Sequence, residues 1–272
     1  MPVSQSNHEP GEDPRRKAVE QIHRYYTERL DLEKRWEDKN YVYSPRSPVG
    51  FYTRSRMHHS FMRLLNKHNI VLSDKTILDI GCGTGDWLCF ISELRGSSTG
   101  LVGIDITGHR IEKARSINPG IEFVMGDAAA LPFDDASFDI VTQFVTFEHF
   151  LDNETLAKAC REVSRVLKAS GFLIWYDLLP FPPGADPINR GFSLKEVVGL
   201  FPEFRLLHKE PIFASCNFGS RNFSTFNIVS IFNAMPTFAA LIADIFDRLP
   251  LMRRNNILVL MVKGANMSSD AV

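Results

Sequence analysis

The sequence predicts an α/β protein built on a mostly parallel sheet, and two observations carry that expectation. Residues 77–87, Ile-Leu-Asp-Ile-Gly-Cys-Gly-Thr-Gly-Asp-Trp, read as a buried strand, a glycine turn and a helix start. Apolar residues up to Ile80 suit a central strand covered on both faces, and Gly81, Gly83 and Gly85 let the backbone turn sharply and come close to a ligand. Further apolar, strand-like runs follow in order at 100–107, 122–127, 139–144, 172–178, 205–214 and 256–263, several with helix-compatible stretches between them.

At 272 residues with 44% hydrophobic and 23% charged composition, the chain can bury one sizeable core. Lys and Arg total 31 against 32 Asp and Glu, so the global basic field that dominates nucleic-acid binding is missing, and no nucleic-acid partner is expected. Cys82, Cys89, Cys160 and Cys216 have neither C-x-x-C spacing nor the density of a disulfide scaffold. They read as reduced thiols. The charged N-terminal residues Glu9, Glu12, Asp13, Arg15 and Arg16 lack the apolar core of a signal peptide, and no apolar run is long enough to span a bilayer, so the expected location is cytoplasmic.

Asp79 narrows the ligand. It sets a carboxylate at the mouth of the glycine turn, where a dinucleotide or nucleoside triphosphate would put phosphates and be repelled. S-adenosylmethionine has no phosphate and carries an ammonium and a sulfonium, so a carboxylate favours it. Residues 77–87 resemble motif I of the class I S-adenosylmethionine-dependent methyltransferases. The resemblance extends over roughly residues 76–263 and is strongest from 77 to 152. It implies a Rossmann-like seven-stranded, mostly parallel sheet with an antiparallel seventh strand, S-adenosylmethionine as cofactor, and a small molecule, sugar or lipid-linked compound as acceptor.

Taken in order, residues 1–14 are polar and carry Pro2, Pro10 and Pro14, as a disordered tail would. Residues 15–70 form a helical cap, with helices expected over 16–38 and 52–68. Among its aromatics Tyr26 is a candidate substrate contact, against the plainer reading that they pack the cap onto the core. Arg54 and Arg56 are either partners for the cofactor carboxylate or ordinary exposed helix residues. The methyltransferase domain then occupies 71–264, followed by a tail at 265–272.

A helix over 86–95 leads to the second strand, which ends at Asp105. An acid at that distance from a glycine turn is placed to accept two ribose hydroxyls. The resemblance implies that role for Asp105, an adenine contact for Asp127, and flanking cofactor contacts at Gly81, Gly83, Ile106, Ala128 and Gln143. After the fourth strand, Phe147-Glu148-His149-Phe150-Leu151-Asp152 stands where many small-molecule relatives carry Leu-Glu-His. His149 is the candidate general base, with a pKa suited to proton removal near neutrality; in many relatives the same His is only structural. Glu148 is placed to hold a substrate hydroxyl or the imidazole.

Asp152 caps a helix to about residue 168 with Gly171 past its end, and the fifth strand brings Asp177 to the carboxyl edge as a candidate substrate contact. Arg190, on a loop rich in Pro and Gly, is a candidate clamp for an anionic acceptor, and residues 193–196, Ser-Leu-Lys-Glu, fit a capping box. Between the sixth and seventh strands a long insertion, 215–255, is expected to be a helical lid over the substrate. Its apolar part with flanking arginines, 226–254, is a candidate for peripheral membrane contact or a homodimer face.

Residues 96–100, Gly-Ser-Ser-Thr-Gly, match a nucleophile-elbow pattern, but a helix precedes and a strand follows, the reverse of what an elbow needs. No residue cluster demands a metal. The expected activity is O-methylation of a hydroxyl, the alternatives being N- or C-methylation or a non-catalytic cofactor-binding module.

Overall fold

A computed structural model describes residues 48–180, 189–212 and 256–264. The first cap helix with Tyr26, most of the loop before Arg190, the insertion at 215–255 with its 226–254 stretch, and both tails lie outside the described residues.

The described elements are α1 (Pro48–Lys67), β1 (Ile77–Ile80), α2 (Asp86–Arg95), β2 (Leu101–Asp105), α3 (Gly108–Ile117), β3 (Glu122–Met125), β4 (Phe138–Phe144), a 3-10 turn (Phe147–His149), α4 (Asn153–Val166), β5 (Leu167–Leu178), α5 (Leu194–Leu200), β6 (Phe204–Ile212) and β7 (Asn256–Lys263). The seven strands form one sheet in the order β3-β2-β1-β4-β5-β7-β6. β7 runs antiparallel to both β5 and β6, while the other pairings are parallel. This is the predicted Rossmann-like arrangement with its antiparallel seventh strand.

Helices cover both faces, which is why the strands read as apolar throughout rather than alternating. Side chains nevertheless part by the strand period of two. Ile77, Ile140, Ile174 and Tyr176 pack with Phe61, Leu64, Leu88, Ile91 and Ile111 of α1, α2 and α3. Leu78, Val141, Leu173 and Trp175 pack with Leu156, Ala159 and Val163 of α4, Val197 of α5 and Phe201 just past its end. Trp175 is fully buried among Phe147, Phe192 and Phe201, and burying a large aromatic of this kind contributes roughly 3 kcal/mol.

The amino edge of the sheet is tied by ions. Asp139 at the start of β4 accepts from Thr76 N–H (2.9 Å), Thr76 Oγ1 (2.8 Å) and Lys168 Nζ (2.9 Å), joining β4 to the residue before β1 and to β5. At the far edge Arg63 and Ser60 of α1 donate to Glu210 of β6. At the carboxyl edge Ile212 pairs with Asn256, so β6 and β7 are hydrogen-bonded neighbours on either side of residues 213–255.

Two boundaries depart from the sequence reading. The helix capped by Asp152 stops at Val166, and β5 begins directly at Leu167 rather than near Phe172. Gly171 therefore sits inside β5, where an added Cβ would lie 3.0 Å from Asp139 O, and close approach rather than a helix cap explains the glycine. The helix at 52–68 begins earlier, at Pro48, a residue suited to a first helical position.

Candidate active site

Strand order reverses between β1 and β4, because the chain leaves β1 toward β2 on one side and leaves β4 toward β5 on the other. Open α/β sheets bind ligands at such a point, beyond the carboxyl ends of the strands. A cleft lies there, walled by Ile80, Gly81, Asp105, Ile106, Asp127 and Ala128 toward β2 and β3, and by Phe144, Val145, Thr146, His149, Phe150 and Leu151 toward β4 and α4.

The glycine turn has the backbone that its sequence implied. Gly81, Gly83 and Gly85 take φ of 72°, 56° and 82°, all left-handed. A Cβ on Gly81 would stand 2.2 Å from Thr146 Oγ1, so the turn is pressed against the chain leaving β4. Thr146 Oγ1 in turn lies 3.1 Å from Ile80 O and 3.2 Å from Phe144 O, clasping the two strand ends. Val145, beside it, is a β-branched residue at φ 55°, strain of the sort that collects at ligand sites.

Asp105 lines the cleft with both carboxylate oxygens held, Oδ2 by Gly83 N–H (2.9 Å) and Oδ1 by Thr107 N–H (2.8 Å). Each oxygen keeps a lone pair for a second donor. Asp127 also lines the cleft, accepting from Ala129 N–H at 2.8 Å. Asp79 lies deeper, 2% exposed, with Thr142 Oγ1 donating to it at 2.7 Å. Burial pushes its carboxyl up to about 7, nearby Asp105 adds to this, and the Thr142 hydroxyl opposes it.

The second wall carries His149, its side chain 12% exposed and its Nε2 3.9 Å from Glu148 Oε1. Glu148 and Asp177 stand behind this wall, Glu148 6% and Asp177 0% exposed, and neither lines the cleft. Gln143, also buried, donates to Asp177 Oδ2 at 3.3 Å and accepts from Thr146 N–H at 3.2 Å. Arg190 reaches Asn153 Oδ1 at 2.7 Å and lies over the Phe192 ring, outside the cleft lining. Arg54 pairs with Asp86 at 3.5 Å.

The fold thus gathers Gly81, Asp105, Ile106, Asp127, Ala128 and His149 around one cleft, with Asp79, Gln143, Glu148 and Asp177 buried behind it. Sequence reading missed Arg110, Phe144, Val145 and Thr146 as lining residues. Thr146 follows a strand end and precedes the singled-out His149 by three residues, a position that could have pointed to it.

The charged lining decides what this cleft can hold. Among the described residues it is three carboxylates, Asp105, Asp127 and Asp152, against Arg110, with Asp79 beneath. A pyrophosphate would be disfavoured, whereas a ligand with a diol, an amine and a cationic centre fits. S-adenosylmethionine meets that description: Asp105 has acceptors for two hydroxyls, Asp127 for an exocyclic amine, and the acids suit its positive charge.

Known proteins place this arrangement. Residues 77–171 match a family model described as a methyltransferase domain. Over 108 residues the chain is 38% identical to a demethylmenaquinone methyltransferase of Lactococcus lactis, covering 38% of this chain and 42% of that protein. Over 140 residues it is 31% identical to a phthiotriol/phenolphthiotriol dimycocerosates methyltransferase of Mycobacterium ulcerans, covering 50% and 45%. The chain spans about half or less of the length of these two relatives. Among solved structures, a SAM-dependent methyltransferase from Methanosarcina mazei has the same fold, with TM-score 0.54 at 21% identity over 74% of this chain and 97% of that one.

Proposed function

From a chain whose residues 77–171 form a methyltransferase domain of the class I, S-adenosylmethionine-dependent kind, we propose methyl transfer from that cofactor to a hydroxyl of a small, largely apolar acceptor. The observation that carries the reading is the two-sided cleft. Its acidic wall suits the cofactor, and its other wall sets the apolar Phe144, Val145, Phe150 and Leu151 beside Thr146, His149, Asp152 and Thr155. Apolar walls of this kind favour a lipid-like or aromatic acceptor over a sugar. Relatives named for menaquinone and phthiotriol substrates support the same choice.

When bound, the cofactor supplies an electrophilic methyl group on a sulfonium. Asp105 would hold its ribose, Asp127 its adenine, and Asp79 would face its amino-acid end. His149 would take the acceptor's hydroxyl proton, because an alcohol or phenol is a poor nucleophile until that proton is removed. The apolar wall would orient the acceptor and exclude water.

A second reading, methylation at carbon, is favoured by the quinone in the name of the Lactococcus relative. Removing a proton from a reduced ring's hydroxyl makes both the oxygen and the neighbouring carbon nucleophilic. The same base would serve either outcome.

Methyl-labelled cofactor incubated with a reduced naphthoquinone bearing an isoprenoid chain, followed by product analysis, separates the acceptor atoms. His149→Ala is expected to lower turnover about 10²- to 10⁴-fold with cofactor affinity unchanged by calorimetry. Near-normal turnover would remove the base role, and an equal loss of cofactor affinity would make His149 a binding residue.

A further inference from the structure

The loop that carries Asp127 is held from outside the cleft by a side chain that the proposed chemistry does not use. Gly126, Asp127 and Ala128 line the cleft. Behind them residues 127–130 turn on themselves, with Asp127 Oδ1 accepting from Ala129 N–H at 2.8 Å and Asp127 O from Ala130 N–H at 3.0 Å. These bonds are local, so they fix the shape of the turn but not where it stands in the fold. Its place comes from its two ends. On the β3 side Gly126 N–H donates to Asp105 O at 3.0 Å. On the other side Leu131 N–H donates to Glu162 Oε2 at 2.7 Å, and Leu131 O accepts from Arg165 Nη2 at 3.0 Å.

Arg165 of α4 has five N–H donors, and the structure gives each an acceptor. Nε donates to Glu162 Oε1 at 2.8 Å, and Nη2 to Glu162 Oε2 at 2.7 Å as well as to Leu131 O. Nη1 donates to Phe133 O at 2.7 Å and to Asp135 Oδ1 at 2.8 Å. The carbonyl of Arg165 accepts from Ala136 N–H at 2.9 Å, so one residue grips the chain from 131 to 136. The side chains of Ala129 and Leu131 are buried too, but apolar packing has no direction. A planar guanidinium with a fixed fork of donors sets the orientation of the peptide groups it meets.

We propose that Arg165, through Glu162 and the Leu131 peptide, positions Asp127 and thereby sets the selectivity of the cleft for a 6-amino over a 6-oxo purine. The proposal rests on the reading of Asp127 as the adenine contact. Arg165 is a positioning residue, since it is not part of the cleft lining and acts through the loop. A carboxylate can only accept. Facing adenine, Asp127 takes a hydrogen bond from the 6-amino group; facing hypoxanthine, a carboxylate in the same place meets the 6-oxo oxygen, a second acceptor, and the two repel. Hypoxanthine does offer a donor one ring atom away, at N1–H. A carboxylate free to shift could follow it, and one held by a pinned loop could not. Selectivity therefore depends on the loop being held as well as on the acid it carries.

The test is calorimetric binding of two ligands to the full chain: S-adenosylhomocysteine, the cofactor without its methyl group, and S-inosylhomocysteine, its 6-oxo counterpart. Wild type is expected to prefer the adenine ligand by at least about tenfold. Asp127→Asn puts an amide donor within reach of the 6-oxo oxygen and is expected to abolish the preference. Arg165→Met keeps the apolar stem without a donor, and is expected to weaken the adenine ligand and cut the preference to about threefold or less. Glu162→Gln keeps an acceptor for Leu131 N–H but loses the charge that holds Arg165, and should narrow the preference by about twofold or more. If wild type shows no preference, or Asp127→Asn retains it, the adenine reading fails and takes the proposal with it. If Asp127→Asn abolishes the preference while Arg165→Met keeps it, with both ligands weakened alike or neither weakened, Arg165 serves stability alone and only the proposal is overturned. Thermal melts show whether each variant is folded. Should Arg165→Met fail to fold, Glu162→Gln decides, and an unchanged preference there overturns the proposal.

Discussion

Asp79 lies under the glycine turn on the Thr142 hydroxyl, and burial first, then Asp105, lifts its carboxyl to about 7. Near neutral pH the ligand-free protein therefore holds this group partly protonated. A cationic ligand favours the ionised form, so binding should expel a proton below pH 7, and affinity for S-adenosylmethionine should rise from pH 6 to pH 7.5. Calorimetry in buffers of different ionisation heat reads the released proton, and Asp79→Asn should abolish the release. Equal heats across buffers at pH 6 would separate Asp79 from the ligand. Residues of this kind were legible because a carboxylate beside three glycines is chemically specific. Val145 and Thr146 were not, since their part depends on a backbone bend and on a threonine hydroxyl filling the space that a Cβ at Gly81 would take, which no side-chain type announces.

At the scale of elements, the Asp139 clamp links β4 to Thr76 and to Lys168 on β5. Burial alone would raise Asp139, but Lys168 and Thr76 outweigh it and hold the carboxyl down at about 2. A folded value below the unfolded one of about 3.9 gives stability that is present above the unfolded value and lost as pH falls through the folded one. Asp139→Ala should thus cost about 2 kcal/mol near pH 7 in urea melts, and the gap to wild type should close toward pH 2. A gap of the same size at pH 2.5 would assign the loss to packing. The strands around this clamp were readable from their apolar runs, and residues 193–196 form the expected capping box. Helix α3 was not singled out, because it buries only Ile111 and Ala114 and is mostly polar elsewhere. Gly171 misled because glycine marks helix ends and close approaches alike.

For the whole molecule, the sheet order sets one cleft at the reversal between β1 and β4, so a ligand there bridges both halves of the sheet. Binding to the folded state alone should stabilise it by about 2.7 kcal/mol at 100 times the dissociation constant. That corresponds to a rise in Tm of roughly 5 to 10 °C for a domain of this size. Thermal melts with S-adenosylmethionine should show the rise and melts with NADH should not. A rise with NADH alone would overturn the argument from the acidic lining.

The pairing of Ile212 with Asn256 closes the sheet on either side of residues 213–255. Because the two strand ends are already held together, the entropy of closing that connection grows only with the logarithm of its length, about 0.6 kcal/mol for each doubling. Evolution can therefore lengthen, shorten or replace this stretch at little thermodynamic cost to the seven strands. The connection opens at the same carboxyl edge as Asp177 and Leu178, so its length can change without moving the strands that carry Asp79, Asp105 and Gln143.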